Sequence, residues 1–175
     1  MKEDTGLTVL FSIAIKRKKM SKCVFAGTFD PITLGHVDIV NKALKDFDEV
    51  IIGVGINEEK SPLLSVDKRV EMIKKVFAQN NKISVYSYQN LTVDFAKSIG
   101  ASVLVRGVRN EKDLAYEKVV EEFNQNVAPN IKTVIYEAEE KYKNLSSTFV
   151  KDAYFKGEDI SSYVPGIVLE YLNKN

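Results

Sequence analysis

Tryptophan is absent from this 175-residue chain, and histidine and cysteine occur once each. A single cysteine excludes an internal disulfide. Cys23 lies in an apolar run, where a buried, unreactive thiol is expected, and this suits a reducing compartment such as the cytoplasm. The chain also lacks any apolar stretch long enough to cross a bilayer, which excludes a membrane-spanning helix. An excess of either charge is missing too: 25 Lys and Arg stand against 24 Asp and Glu. The global field therefore neither draws the chain to nucleic acid nor repels an anionic metabolite, so any phosphate binding must be local.

What is present is an ordinary globular composition, 45% hydrophobic and 28% charged, at a length that suits one domain with a full core. The N-terminal LTVLFSIAI run (7 to 15) is preceded by acids and followed by KRKK, the reverse of a secretory signal, whose bases come first. Met20 stands just before the first convincing strand. Residues 1 to 19 are accordingly expected to be a poorly ordered extension, and 20 to 175 one domain.

From Lys22 onward short β-branched runs alternate with helical periodicity, the pattern of stacked βαβ units. Strands are expected at 22 to 27, 49 to 55, 82 to 88, 101 to 107 and 132 to 138. A helix opens near Gly35, another follows Ser65 as N-cap, and a third starts near Asn110 with Tyr116, Val119, Val120, Phe123 and Val127 on one side. The last helical region begins at the serines of LSSTFVKDAYF and stops at Gly157, with a short helix after Pro165. The fold class is α/β, a doubly wound five-stranded parallel sheet, in which ligands bind at the carboxyl ends of the strands.

Every chemically interesting motif follows a strand. In GTFDPITLGH (27 to 36) the only histidine falls in the first turn of a helix, on its inward arc. There a cationic or hydrogen-bonding imidazole, beside free N–H groups at the positive helix end, makes an anion site; a histidine merely packed at a helix end is the competing reading. Thr28 is either a ligand contact or a turn residue. After the second strand, Lys60 precedes Ser-Pro and an N-capped helix, a place for a point charge on phosphate as well as for a solvated loop lysine.

The fourth strand ends in Arg106-Gly107-Val108-Arg109, two guanidinium groups where the sheet opens, with Gly107 allowing close approach of a ligand. Glu117 and Asn124 share a flank of the next helix, beside its apolar stripe. Ser146, Ser147 and Thr148 stand at a helix start, where hydroxyls and N–H groups clasp phosphate oxygens. Thr92, after the third strand, reads equally well as a helix cap.

GTFDP followed by Thr33-Leu34-Gly35-His36 resembles the T/HxGH motif of the nucleotidyltransferases related to class I aminoacyl-tRNA synthetases, and most closely the bacterial phosphopantetheine adenylyltransferase family. The similarity runs from about Met20 through the last helix. It implies a Rossmann-like fold, ATP and 4′-phosphopantetheine as substrates, and dephospho-coenzyme A and pyrophosphate as products. On this resemblance Thr28, Lys60, Thr92 and Arg106 contact phosphopantetheine, and Thr28, His36, Lys60 and Arg106 serve the transfer. ATP then meets Thr28, Phe29, His36, Gly107, Val108, Arg109 and Glu117, and also the run Tyr142, Lys143, Asn144, Leu145, Ser146, Ser147 and Thr148. The family pattern has Ile before its serines where this chain has Leu145. Mg²⁺ is expected to be held mainly by the ATP phosphates. A homohexamer of two trimers and feedback binding of coenzyme A are further implications. The nearest alternatives are a superfamily member acting on nicotinamide mononucleotide or glycerol phosphate, and a noncatalytic adenine-nucleotide sensor.

Overall fold

The computed structural model describes residues 21–56 and 61–173. The N-terminal extension and Lys60 lie outside the described residues. The five β-branched runs form one parallel sheet of β1 (Lys22–Gly27), β2 (Glu49–Gly55), β3 (Ile83–Tyr88), β4 (Val103–Val108) and β5 (Lys132–Glu137), in the order β3-β2-β1-β4-β5. Parallel neighbours cannot be joined by hairpins, so helices carry the crossovers. They are α1 (Leu34–Asp46), α2 (Val66–Val76), α3 (Thr92–Ser98) and α4 (Glu111–Val127), with α5 (Ser147–Phe155) and α6 (Gly166–Leu172) completing the chain. This is the doubly wound α/β class expected. β4 begins later than expected, at Val103, and runs on through Val108.

The sheet is buried on both faces because its strands alternate between two apolar clusters. Cys23 and Phe25 of β1 pack with residues of α1, α2, α5 and α6, while Val24 and Ala26 pack with Val93, Phe95 and Ala96 of α3 and with Ala128 and Ile131. Burial pushes the Cys23 thiol up to about 12, so it serves as a small apolar side chain. The chain starts at the sheet centre, moves outward through β2 and β3, and returns to β4 on the other side of β1. The connections leaving β1 and β4 thus diverge to opposite faces, and a crevice opens at their carboxyl ends.

Of the apolar residues on one side of α4, Tyr116 (64% exposed), Val119, Phe123 and Val127 are exposed and Val120 is half-buried, whereas Glu117 and Asn124 are buried. The helix is turned so that its polar flank meets the sheet. At Gly107 a neighbouring helix also comes close, since an added Cβ would lie 2.8 Å from Ile39 Cγ1 of α1. Gly107→Ala is accordingly expected to lose about 1–3 kcal/mol by overpacking, read as a lower urea midpoint at unchanged m-value. An unchanged midpoint would mean that α1 yields at no cost.

Candidate active site

At the end of β1 the chain turns through Phe29, whose φ of 49° is unusual for a residue with a side chain. Thr28 is exposed on this turn, while Phe29 is 1% exposed and packs edge-on to both Phe25 (5.4 Å) and His36 (5.0 Å). Phe29 is therefore a floor beneath the histidine. Buried Asp30 accepts hydrogen bonds from the backbone N–H groups of Leu63 (2.8 Å) and Leu64 (2.9 Å) and lies 3.3 Å from Lys151 Nζ.

The state of His36 follows from its neighbours. Thr33 caps α1, and its own N–H donates to His36 Nδ1 at 3.0 Å. Only a ring nitrogen lone pair accepts such a bond, so the neutral ring carries its proton on Nε2. Burial, and secondarily the Arg109 charge, push the pKa of His36 down to about 4. Of the alternatives open in the sequence, the structure selects a neutral imidazole with one N–H to donate, and His36 lines the cleft.

At the end of β4, Arg106 and Glu117 form a bidentate ion pair, Nε to Oε2 and Nη2 to Oε1 both at 2.7 Å, and Nη1 donates to the Ala26 carbonyl at 3.2 Å. Burial opposes the guanidinium charge, but the hydrogen bonds and charge of Glu117 outweigh it and raise the Arg106 pKa. Glu117 is 7% exposed and holds Arg106 toward β1. Arg109 is oriented in the same manner by Asp113, with Nε 2.8 Å from Oδ2.

The third wall comes from the connection between β5 and α5. Asp38 of α1 accepts from the Glu139 N–H (3.0 Å) and from Lys42, which also donates to the Glu137 carbonyl. This tie places Tyr142 and Leu145 beside the start of α5, where Ser146 caps by accepting from the Phe149 N–H at 3.0 Å and Ser147 donates to the Pro31 carbonyl at 2.8 Å. The N–H groups of Ser147 and Thr148 keep no partner among the described residues, as first-turn donors do.

These walls enclose a cleft of about 600 Å³, a ligand-sized volume. It brings together Thr28, Phe29, His36, Arg106, Gly107, Val108, Arg109, Glu117, Tyr142, Leu145, Ser146 and Ser147. Lys143, Asn144 and Thr148 do not line it, and the Lys143 ammonium is paired with Glu140 (2.8 Å) and Glu137 (3.4 Å). A second cleft of about 280 Å³ adjoins it, sharing Ala26, Gly27, Thr28 and Arg106 and adding Tyr88, Leu91 and Thr92. Thr92 is not a cap: Leu91 holds the N-cap position, and the Thr92 hydroxyl is hydrogen-bonded to the Tyr88 hydroxyl at 2.9 Å.

Further residues surround the site. Asn124, 8% exposed, lines a small cavity between α4 and β4 with Arg106 and Thr92. Lys112 and Tyr116 also line the main cleft. Arg69, buried on α2, donates to the Thr28 carbonyl from 41 residues away.

The cytidylyltransferase-like family model matches residues 24–153. A phosphopantetheine adenylyltransferase from Bacteroides thetaiotaomicron is 42% identical over 146 residues, 83% of this chain and 96% of that one. One from Leptospira biflexa is 42% identical over 154 residues, 88% of this chain and 96% of the relative. Among solved structures, a Vibrio parahaemolyticus protein assigned as a nicotinate-nucleotide adenylyltransferase superposes with a TM-score of 0.65 at 23% identity, covering 88% of this chain and 99% of that one, a likeness of fold. With a T-x-G-H helix start, an Arg-Gly-Val-Arg strand end and a serine-capped helix around one cleft, the chain belongs to the cytidylyltransferase-like family and, within it, to the phosphopantetheine adenylyltransferases.

Proposed function

We propose that this protein transfers the adenylyl group of ATP to 4′-phosphopantetheine, forming dephospho-coenzyme A and pyrophosphate in coenzyme A biosynthesis. One observation carries the reading: the larger and smaller clefts meet at Thr28 and Arg106. A nucleoside triphosphate in the first and a long, narrow phosphorylated acceptor in the second would bring their phosphates together at these two residues. Such alignment supplies much of the catalysis when two bound phosphates react.

An oxygen of the acceptor phosphate attacks the α-phosphorus, its new P–O bond forms as the bond to the bridging oxygen breaks, and pyrophosphate leaves. No enzyme nucleophile takes part. In this proposal the Thr28 hydroxyl orients the attacking phosphate, and Arg106, held by Glu117, carries its charge. His36 donates from Nε2 to a nonbridging α-phosphate oxygen, where negative charge grows in the transition state. Arg109 and the start of α5 take the remaining phosphates of ATP. Lys60, outside the described residues, is assigned the transferring phosphate as a further cation, and Thr92 the acceptor arm. Mg²⁺ is assigned as a companion of the ATP phosphates.

The exposed apolar side chains of α4 support assembly into a homo-oligomer, which we take to be a hexamer, since a monomer seldom leaves such a stripe in water. Coenzyme A, which contains the product, is the expected feedback ligand of the same clefts. A buried free thiol and the lack, among the described residues, of any helix long and apolar enough to cross a membrane are compatible with a cytoplasmic setting.

The test supplies ATP with 4′-phosphopantetheine, nicotinamide mononucleotide or glycerol phosphate in separate reactions, with CTP also offered to the last, and measures pyrophosphate release. Release is expected with phosphopantetheine. Silence there, or faster release with another acceptor, would sink the reading.

A further inference from the structure

Arg69 lines neither cleft, yet it is a charged side chain buried beside them. It is 4% exposed and stands near the N-terminus of α2, where desolvation and the helix dipole both oppose a cation. Burial lowers its pKa, and Asp30 offsets this through charge alone, because the Asp30 oxygens are committed to Leu63, Leu64 and Lys151. What the guanidinium gains is two carbonyls: Nε donates to Leu64 at 3.0 Å and Nη1 to Thr28 at 2.6 Å. Both belong to loops rather than to a helix or strand ladder. Arg69 therefore fastens the loop entering α2 to the loop leaving β1.

The second of those bonds falls at a sensitive place. The Thr28 carbonyl belongs to the peptide that leads into Phe29, whose φ of 49° lies in the left-handed region, which is strained for a residue with a Cβ. A peptide at such a turn has other orientations open to it, and the charge-assisted bond selects one. The Thr28 side chain rides on the same backbone, exposed toward the clefts, and no residue among those described bonds its hydroxyl. Its direction is thus set by its backbone, and its backbone by Arg69 on one side and the Asp30 anchor on the other.

We propose that Arg69 is a positioning residue for the transfer, fixing the Thr28–Phe29 peptide so that the Thr28 hydroxyl meets the acceptor phosphate; this rests on the adenylyl-transfer reading above. Lysine at this position keeps a charge but not the fork that reaches two carbonyls. Arg69→Lys is expected to lower kcat on the order of 10²-fold, the cost of a small misplacement, with KM for ATP changed by less than about threefold.

A cycle with Thr28→Ala separates positioning from general support. If Arg69 acts through Thr28, Arg69→Lys costs little more once the hydroxyl is gone. The backbone amide of Phe29, read by ¹⁵N NMR, is expected to shift in Arg69→Lys while those of β3 stay in place. Arg69→Gln replaces the lysine variant should that one fail to fold. Equal multiplicative losses in the two backgrounds, or a Phe29 amide that does not move, would overturn the proposal. If the parent protein releases no pyrophosphate with phosphopantetheine, the adenylyl-transfer reading fails, while the amide still decides whether Arg69 sets this peptide.

Discussion

Replacing His36 with alanine is expected to cut kcat by about 10²–10³-fold, the loss seen when one donor to a developing oxyanion is removed, while affinity for dephospho-coenzyme A changes little. The asymmetry follows from where the bond strengthens. A neutral N–H gains most when the α-phosphate acquires charge in the transition state, so the ground state hardly registers its loss. Parallel losses in turnover and product affinity would remove His36 from that role.

Its protonation state adds a second readout. With a pKa pushed down to about 4 by burial and Arg109, the ring of the free enzyme is neutral throughout the physiological range. The profile of kcat/KM against pH is therefore expected to show no histidine limb near 6.5, the value of a free imidazole. Being the only histidine, its ring resonances are unambiguous, and an NMR titration should find the midpoint near 4 with the proton on Nε2. The sign for stability follows: the unfolded chain protonates near 6.5 and the folded one only near 4. The favourable contribution is whole above 6.5 and is lost as pH falls through that window.

The second large effect is expected at Arg106. Arg106→Met leaves Glu117 as a buried carboxylate without its partner, since their side chains are only 25% and 9% exposed. Breaking such a pair from one side costs about 3–5 kcal/mol. In the role proposed for Arg106 it also withdraws a charge-assisted contact from the acceptor phosphate, raising KM for phosphopantetheine by about 10–100-fold. The two losses separate in the double variant Arg106→Met with Glu117→Met. Removing both charges should restore most of the stability, measured by urea unfolding, and none of the acceptor affinity. Recovery of activity in the double variant would show that Arg106 is structural only.

Glu117 and Asn124 show how far a helical pattern carries and where it stops. Their shared flank and the neighbouring stripe of Tyr116, Val119, Phe123 and Val127 are plain from spacing, but spacing does not say which side meets the sheet. The stripe is apolar and yet exposed, and the polar flank is buried because Arg106 waits there to pair with Glu117. Gly107, which reads as room for a ligand and does line the cleft, also serves the packing of Ile39, which spacing does not show. Capping, by contrast, is legible wherever the cap is a side chain of the local chain, as at Ser65, Asn110 and Ser146. At Thr92 it misleads, since the backbone turns one residue earlier, at Leu91.

Short-range order in this chain is a matter of local chemistry: β-branched runs make the strands, capped periodic segments make the helices, and alternation forces a parallel sheet with the candidate phosphate-binding motifs at one edge. Those features need only neighbours within a few residues. The tautomer of His36, the Arg106–Glu117 pair and the hold of Arg69 on Thr28 depend on which groups meet after folding. Burial and distance set them, and neither exists until the crevice between β1 and β4 has formed.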